Sequence, residues 1–205
     1  HVKFQPWVGN RYELGLLGVR TLILGESHYQ WRKDLEIDGL SNLTKECIEE
    51  QLEGVTFAFW TKVATALLGK KPTLEEKQAF WHSVAYYNYV QESAGFGARV
   101  RPKQSSWDMS KITFAEVLQT LKPQLIVALG YRLWEMLPDF DGYEGPRIEG
   151  AQQPRTWIYP HGTGVAVLYT IKHPSSGFSP LEWHQFIVQA RAKVDSLTPL
   201  STSAS

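Results

Sequence analysis

The chain has 205 residues, with 21 basic and 21 acidic side chains, so its formal net charge is zero. That excludes a global basic signature of nucleic-acid binding but leaves room for a local patch. The single cysteine, Cys47, excludes a disulfide framework or a four-thiolate cluster, and no run approaches the ~18 continuous apolar residues of a membrane span.

This length suits one domain, expected over 1–198, with the low-complexity tail 199–205 frayed. The start "HVKFQPWVG" lacks the apolar core of a signal peptide, so a cytoplasmic protein is the simplest expectation. Aromatics make up 13% of the chain, including eight Trp, enough to fill a core and line a pocket for a flat ligand. Cys47 lies in a helical pattern and reads as a small buried apolar group.

"VRTLILG" (19–25) is a continuous apolar run closed by glycine, the pattern of a strand buried on both faces. "ESHYQWRKDLEIDG" (26–39) is polar and aromatic, and reads as a loop. "NLTKECIEEQL" and "FAFWTKVATALLG" are helical, the second stopped by Gly69, and "TLEEKQAFWHSV" is a short helix. "AYYNYV" (85–90) has the content of a strand, in which Asn88 is out of place. A long loop is expected over 91–110, carrying Arg99, Arg101 and Lys103. The next helix is expected over 113–121, opened by a Thr113/Glu116 capping box and ended by Pro123. "QLIVALG" (124–130) is another buried strand, and "YRLWEML" another helix. A turn-rich stretch follows, with a short strand suggested at "RTWIY". "VAVLYTI" (165–171) is the last strand, and Ser179, Pro180 and Glu182 open the last helix.

Strands alternating with helices predict a three-layer α/β/α sandwich with a short, mainly parallel, four-stranded central sheet. Three strand ends carry unusual residues: "GESHY" after the first, Asn88 in the second, and His173 after the last. In open α/β sheets, ligands bind at the carboxyl ends of the strands.

Taken together, "GESHY" (25–29), "YYNYV" (86–90), "LKPQLIVALG" (121–130) and "HPSSGF" (173–178) resemble the uracil-DNA glycosylase superfamily in order and spacing. The third segment looks like that of its iron–sulfur branch, but one cysteine rules out that branch's four-cysteine cluster. Highly active uracil enzymes carry aspartate at the third position of the first motif. Here that position is Ser27, a poor general base at neutral pH.

The resemblance implies a monomeric, monofunctional glycosylase that takes a deaminated base from DNA with water, without cofactor or metal. Its extruded base would sit in a pocket where the Watson–Crick edge is read. His173 would donate to the base oxygen, and Asn88 would offer a donor and an acceptor to the base edge. Gly25, Glu26 and Ser27 form the loop that would hold the water, with Glu26 orienting it or touching the base. His28 is a further base-side candidate that equally fits a surface role. Tyr29 falls where a side chain would exclude the thymine methyl. Phe57, Phe59 or Trp60 would supply the stacking ring. Ser175 and Ser176 would bond phosphates. Phe178 would be the wedge in the base stack, although it also fits a hydrophobic staple under the last helix. Arg99, Arg101 and Lys103 would touch the DNA backbone, or form an ordinary solvated loop.

Two other readings stand beside this one. Six His admit a metal-dependent hydrolase, although no H-E-x-x-H or clustered Cys/His spacing is present. A glycosylase fold that only binds nucleic acid or a nucleotide fits Ser27 and the zero net charge.

Overall fold

The structure is a computed structural model of the chain. It describes every residue except 1, 35, 98–99, 150–154, 163, 176 and 198–205, and all side chains among the described residues except that of 195. The expectation of a frayed 199–205 tail lies outside the described residues.

The elements are β1 (Trp7–Val8), β2 (Thr21–Gly25), α1 (Leu43–Leu52), α2 (Ala58–Leu68), α3 (Leu74–Ser83), β3 (Val84–Asn88), α4 (Gln104–Leu121), β4 (Leu125–Leu129), α5 (Tyr131–Met136), β5 (Tyr143–Glu144), β6 (Thr156–His161), β7 (Gly164–Ile171) and α6 (Pro180–Leu197). The strands form one mixed sheet of seven, in the order β1-β3-β2-β4-β7-β6-β5. The expected four-stranded sheet is therefore too small. Four mutually parallel strands, β3, β2, β4 and β7, make the centre. Antiparallel β1 extends one side, and antiparallel β6 and β5 extend the other. β1 and β5 have two residues each, too short to leave a periodic signal.

All residues of β2, β3 and β4 are buried because both sheet faces are covered. One face packs Ile23, Tyr86, Val127 and Tyr169 against α2, α3 and α6, through Val63, Trp81 and Ile187. The other packs Leu22, Tyr87, Ile126 and Leu168 against α4 and α5, through Trp107, Phe114 and Leu133. A third, small cluster holds Phe4, Ile37 and Leu43, with Cys47 against it. Burial pushes the Cys47 thiol up to about 11, so it stays protonated and is no nucleophile at neutral pH.

The largest departure from the sequence expectation is α4, which starts at Gln104 rather than Thr113. Thr113 lies mid-helix, where its hydroxyl donates to the Ser110 carbonyl at 2.9 Å. Ser110 donates in the same way to Ser106 at 2.7 Å. These back-bonds satisfy hydroxyls that otherwise favour turns, so a serine-rich stretch is helical. Trp107 and Phe114 anchor it to the sheet.

From β2 the chain passes to β3 on one side, and from β4 to β7 on the other. The carboxyl ends of β2 and β4 are therefore a topological switch point, where open α/β sheets form their ligand crevices.

Candidate active site

Residues paired across parallel strands share a face. Gly25 pairs with Asn88, and Leu129 with Ile171. Each lies two positions beyond a residue that packs toward α2 and α6 (Ile23, Tyr86, Val127 and Tyr169). The period of two therefore turns the last residues of all four central strands toward that helical layer.

Asn88 ends β3 and is 4% exposed. Its Oδ1 accepts a hydrogen bond from the buried Tyr86 hydroxyl at 3.0 Å. Among the described residues nothing accepts from its Nδ2, and that atom is not sealed from solvent. Gly25 makes this arrangement possible. A Cβ there would lie 2.2 Å from both Asn88 Oδ1 and the Tyr86 hydroxyl oxygen.

His173 lies two residues beyond β7. Its ring stands beside Gly130, whose φ of +119° and whose nearness to the His173 side chain both favour glycine. The Ser175 N–H donates to Nδ1 at 3.2 Å, and the Ser175 hydroxyl lies 2.9 Å from the same nitrogen. An N–H only donates, so Nδ1 is an acceptor and the neutral ring carries its proton on Nε2. Burial holds the His173 pKa below the usual imidazole value, which favours that neutral form. Among the described residues no partner engages Nε2, and it too is not sealed from solvent.

Aromatic rings from the first turn of α2 connect these two groups. Phe59 lies 5.5 Å from the His173 ring, and Trp60 lies 4.8 Å from the Tyr86 ring. Phe59 and Trp60 meet edge to face at 4.9 Å. Phe57, the residue before α2, is half exposed. Lys62, one turn further along α2, donates to the Pro174 carbonyl at 3.0 Å and ties the last loop to the helix. Among the described residues no three His, Cys, Asp or Glu side chains are grouped as a metal would need. An open groove on the other face, lined by Lys111, Ile112, Ala115, Gln119 and Phe140, is separate from this crevice.

No known protein-family model matches the chain, and no curated protein matches it either.

The remaining expected site residues lie as follows. Glu26 is half-buried, and burial raises its pKa above the ordinary carboxyl value, against the opposing charges of Arg132 and Arg101. Ser27 is partly buried in the same loop, and Tyr29 is half exposed. His28 is buried, not at the surface. Its Nε2 is 2.9 Å from the Thr44 hydroxyl, and its ring meets Phe4 edge-on at 4.9 Å. Burial lowers its pKa to about 4. Ser175 is exposed, as are Arg101 and Lys103. Ser176 and Arg99 lie outside the described residues.

The wedge role expected for Phe178 needs correction. A wedge must present an apolar side chain to solvent, yet Phe178 is 8% exposed and stacks on Trp183 at 6.3 Å. Phe178 directly precedes Ser179 and Trp183 follows four residues later, the spacing of a hydrophobic staple at the start of α6.

Three groups at the site escaped sequence reasoning. Tyr86 was legible in principle, since a residue two before Asn88 on a strand shares its face. Arg132 follows the glycine that closes β4 by two positions, so the carboxyl-edge rule could have found it. Lys62 had no signal, because its partner is 112 residues away in sequence.

Proposed function

We propose that the protein is a monofunctional DNA glycosylase, of the uracil-DNA glycosylase kind. It hydrolyses the N-glycosidic bond of uracil or another deaminated base, as a monomer and without a cofactor. One observation carries this reading. Two N–H donors, Asn88 Nδ2 and His173 Nε2, stand free at one sheet edge, and each is held in place through its other heteroatom. Their strands are three spacings apart, roughly 14 Å. The ligand we propose between the two side chains is one pyrimidine ring, hydrogen-bonded at each side.

Departure of the base leaves negative charge on its oxygen and positive charge on the sugar. Once the base fills the site, a fixed Nε2–H stabilises that oxygen without itself being charged. Asn88 donates to the oxygen on the opposite side of the base. Phe59, already in contact with His173, is the ring available to stack on the base. Water is oriented by the 25–27 loop, with Glu26 as its carboxylate. A carboxyl held above its ordinary pKa is a better proton acceptor than an unshifted one. Lys62, Lys172 and Ser175 lie beside the 173–178 loop and suit the phosphates flanking an extruded nucleotide.

Release of free base from oligonucleotides carrying uracil, hypoxanthine, xanthine or 5-substituted uracils is the direct test. Alkali then cuts the strand at each abasic site. Scission with at least one of these lesions, and loss of base preference in Asn88→Ala, is the expected result. Binding without scission on every lesion would instead make the protein a nucleic-acid-binding module, the reading that Ser27 favours.

A further inference from the structure

We infer that Tyr86 is a positioning residue that fixes which end of the Asn88 amide faces the cleft, and so makes the site select a carbonyl over an amino group on the base. This deepens the glycosylase reading and rests on it.

A side-chain amide is nearly symmetric in shape but opposite in chemistry at its two ends. Turned one way, it donates toward the cleft and leaves an oxygen lone pair for a ring N–H. That arrangement matches a base with a carbonyl beside a protonated ring nitrogen. Turned by half a rotation, it accepts from an exocyclic amine and donates to a bare ring nitrogen. That arrangement matches cytosine, the normal base from which uracil arises. Asn88 alone does not distinguish these.

Tyr86 does. Its side chain is buried among Trp60 and Trp81, with ring centroids 4.8 and 6.3 Å away. Among the described residues its hydroxyl has one polar partner, Asn88 Oδ1 at 3.0 Å. Burial holds the phenol proton on far above neutral pH, so the group remains a donor. An amide turned the other way would set an NH2 against that O–H and strand the hydroxyl proton without an acceptor. A buried donor without a partner costs about 1–3 kcal/mol. Gly25 makes room for this contact without choosing between the two amide ends. Its Cα side is occupied by Oδ1 and the phenol oxygen together. With Oδ1 held by the phenol, the nitrogen is the end left to the cleft, where among the described residues no protein group accepts from it.

The test is Tyr86→Phe in the full chain, which removes one oxygen and keeps the ring. Base release from matched uracil and cytosine oligonucleotides gives the preference as a ratio of kcat/KM. Losing one hydrogen bond of ordinary strength should lower that ratio about tenfold, through a gain in cytosine release as well as a loss with uracil. An unchanged ratio, with both rates falling together, would mean that the hydroxyl only supports the fold, and would overturn the assignment. A second readout needs neither turnover nor the variant. In the wild-type protein, the Tyr86 hydroxyl proton should be protected from exchange and show a nuclear Overhauser effect to Asn88. A hydroxyl proton exchanging at solvent rates would also overturn it. Absence of base release from all oligonucleotides, with that protected proton present, would refute the glycosylase reading and leave the amide orientation standing.

Discussion

The loops after β2 and β7 begin at the same sheet edge, and each carries a histidine within three residues of its strand. The two rings differ in how far the fold encloses them and in which nitrogen it engages. His28 is enclosed by Phe4 and Thr44, with burial lowering its pKa to about 4. His173 is anchored through Nδ1 by Ser175 and leaves Nε2 open. Each ring bonds the fold through one nitrogen, His28 through Nε2 and His173 through Nδ1; His28 is buried and His173 is partly exposed. A histidine at a strand end is therefore ambiguous until its burial is known.

The comparison is sharpened most by His173→Ala. It should slow single-turnover base release by a hundredfold or more, since one lost donor to a developing anion is worth about 3–4 kcal/mol. The fold should be unaffected, because a ring with one free nitrogen contributes little to it. Near-normal release would break the distinction between the two loops.

Phe178→Ala comes next and should act on stability. A buried aromatic stapling α6 should cost roughly 3 kcal/mol, seen as a lower urea midpoint, while release per folded molecule stays near normal. Unchanged stability with weakened DNA binding would return Phe178 to the role of a wedge.

His28 gives a smaller, pH-dependent effect. Its pKa is about 6.5 in the unfolded chain and about 4 in the folded one, so the unfolded state binds more protons between those values. Stability present above pH 6.5 should be lost as pH falls toward 4, by about 3 kcal/mol in all. Urea unfolding of wild type and His28→Gln at pH 7 and pH 4.5 checks this. Parallel losses in the two proteins would show that the buried imidazole is not the cause. Burial lowers the pKa of His173 in the same direction.

Much of this architecture was legible because fully buried parallel strands leave unbroken apolar runs, as in Thr21–Gly25 and Leu125–Leu129. Asn88 stood out because a polar amide ends such a run. The first half of α4 was hidden, since Ser106, Ser110 and Thr113 resemble a turn until their hydroxyls find carbonyls within the helix. The enclosure of His28 was invisible because Phe4 and Thr44 approach it from distant parts of the chain. Phe178 fitted two roles in sequence, and only its parallel ring contact with Trp183 shows which one the fold uses.

The lysine tether on α2 has a mechanical corollary. Phe59 and Lys62 grip the His173–Pro174 segment from a single helical turn, and Trp60 of that turn leans on Tyr86. The helix thus bridges the His173 loop and the end of β3. Because α2 touches both, the His173 loop and the Tyr86 ring take their positions from one element rather than from two.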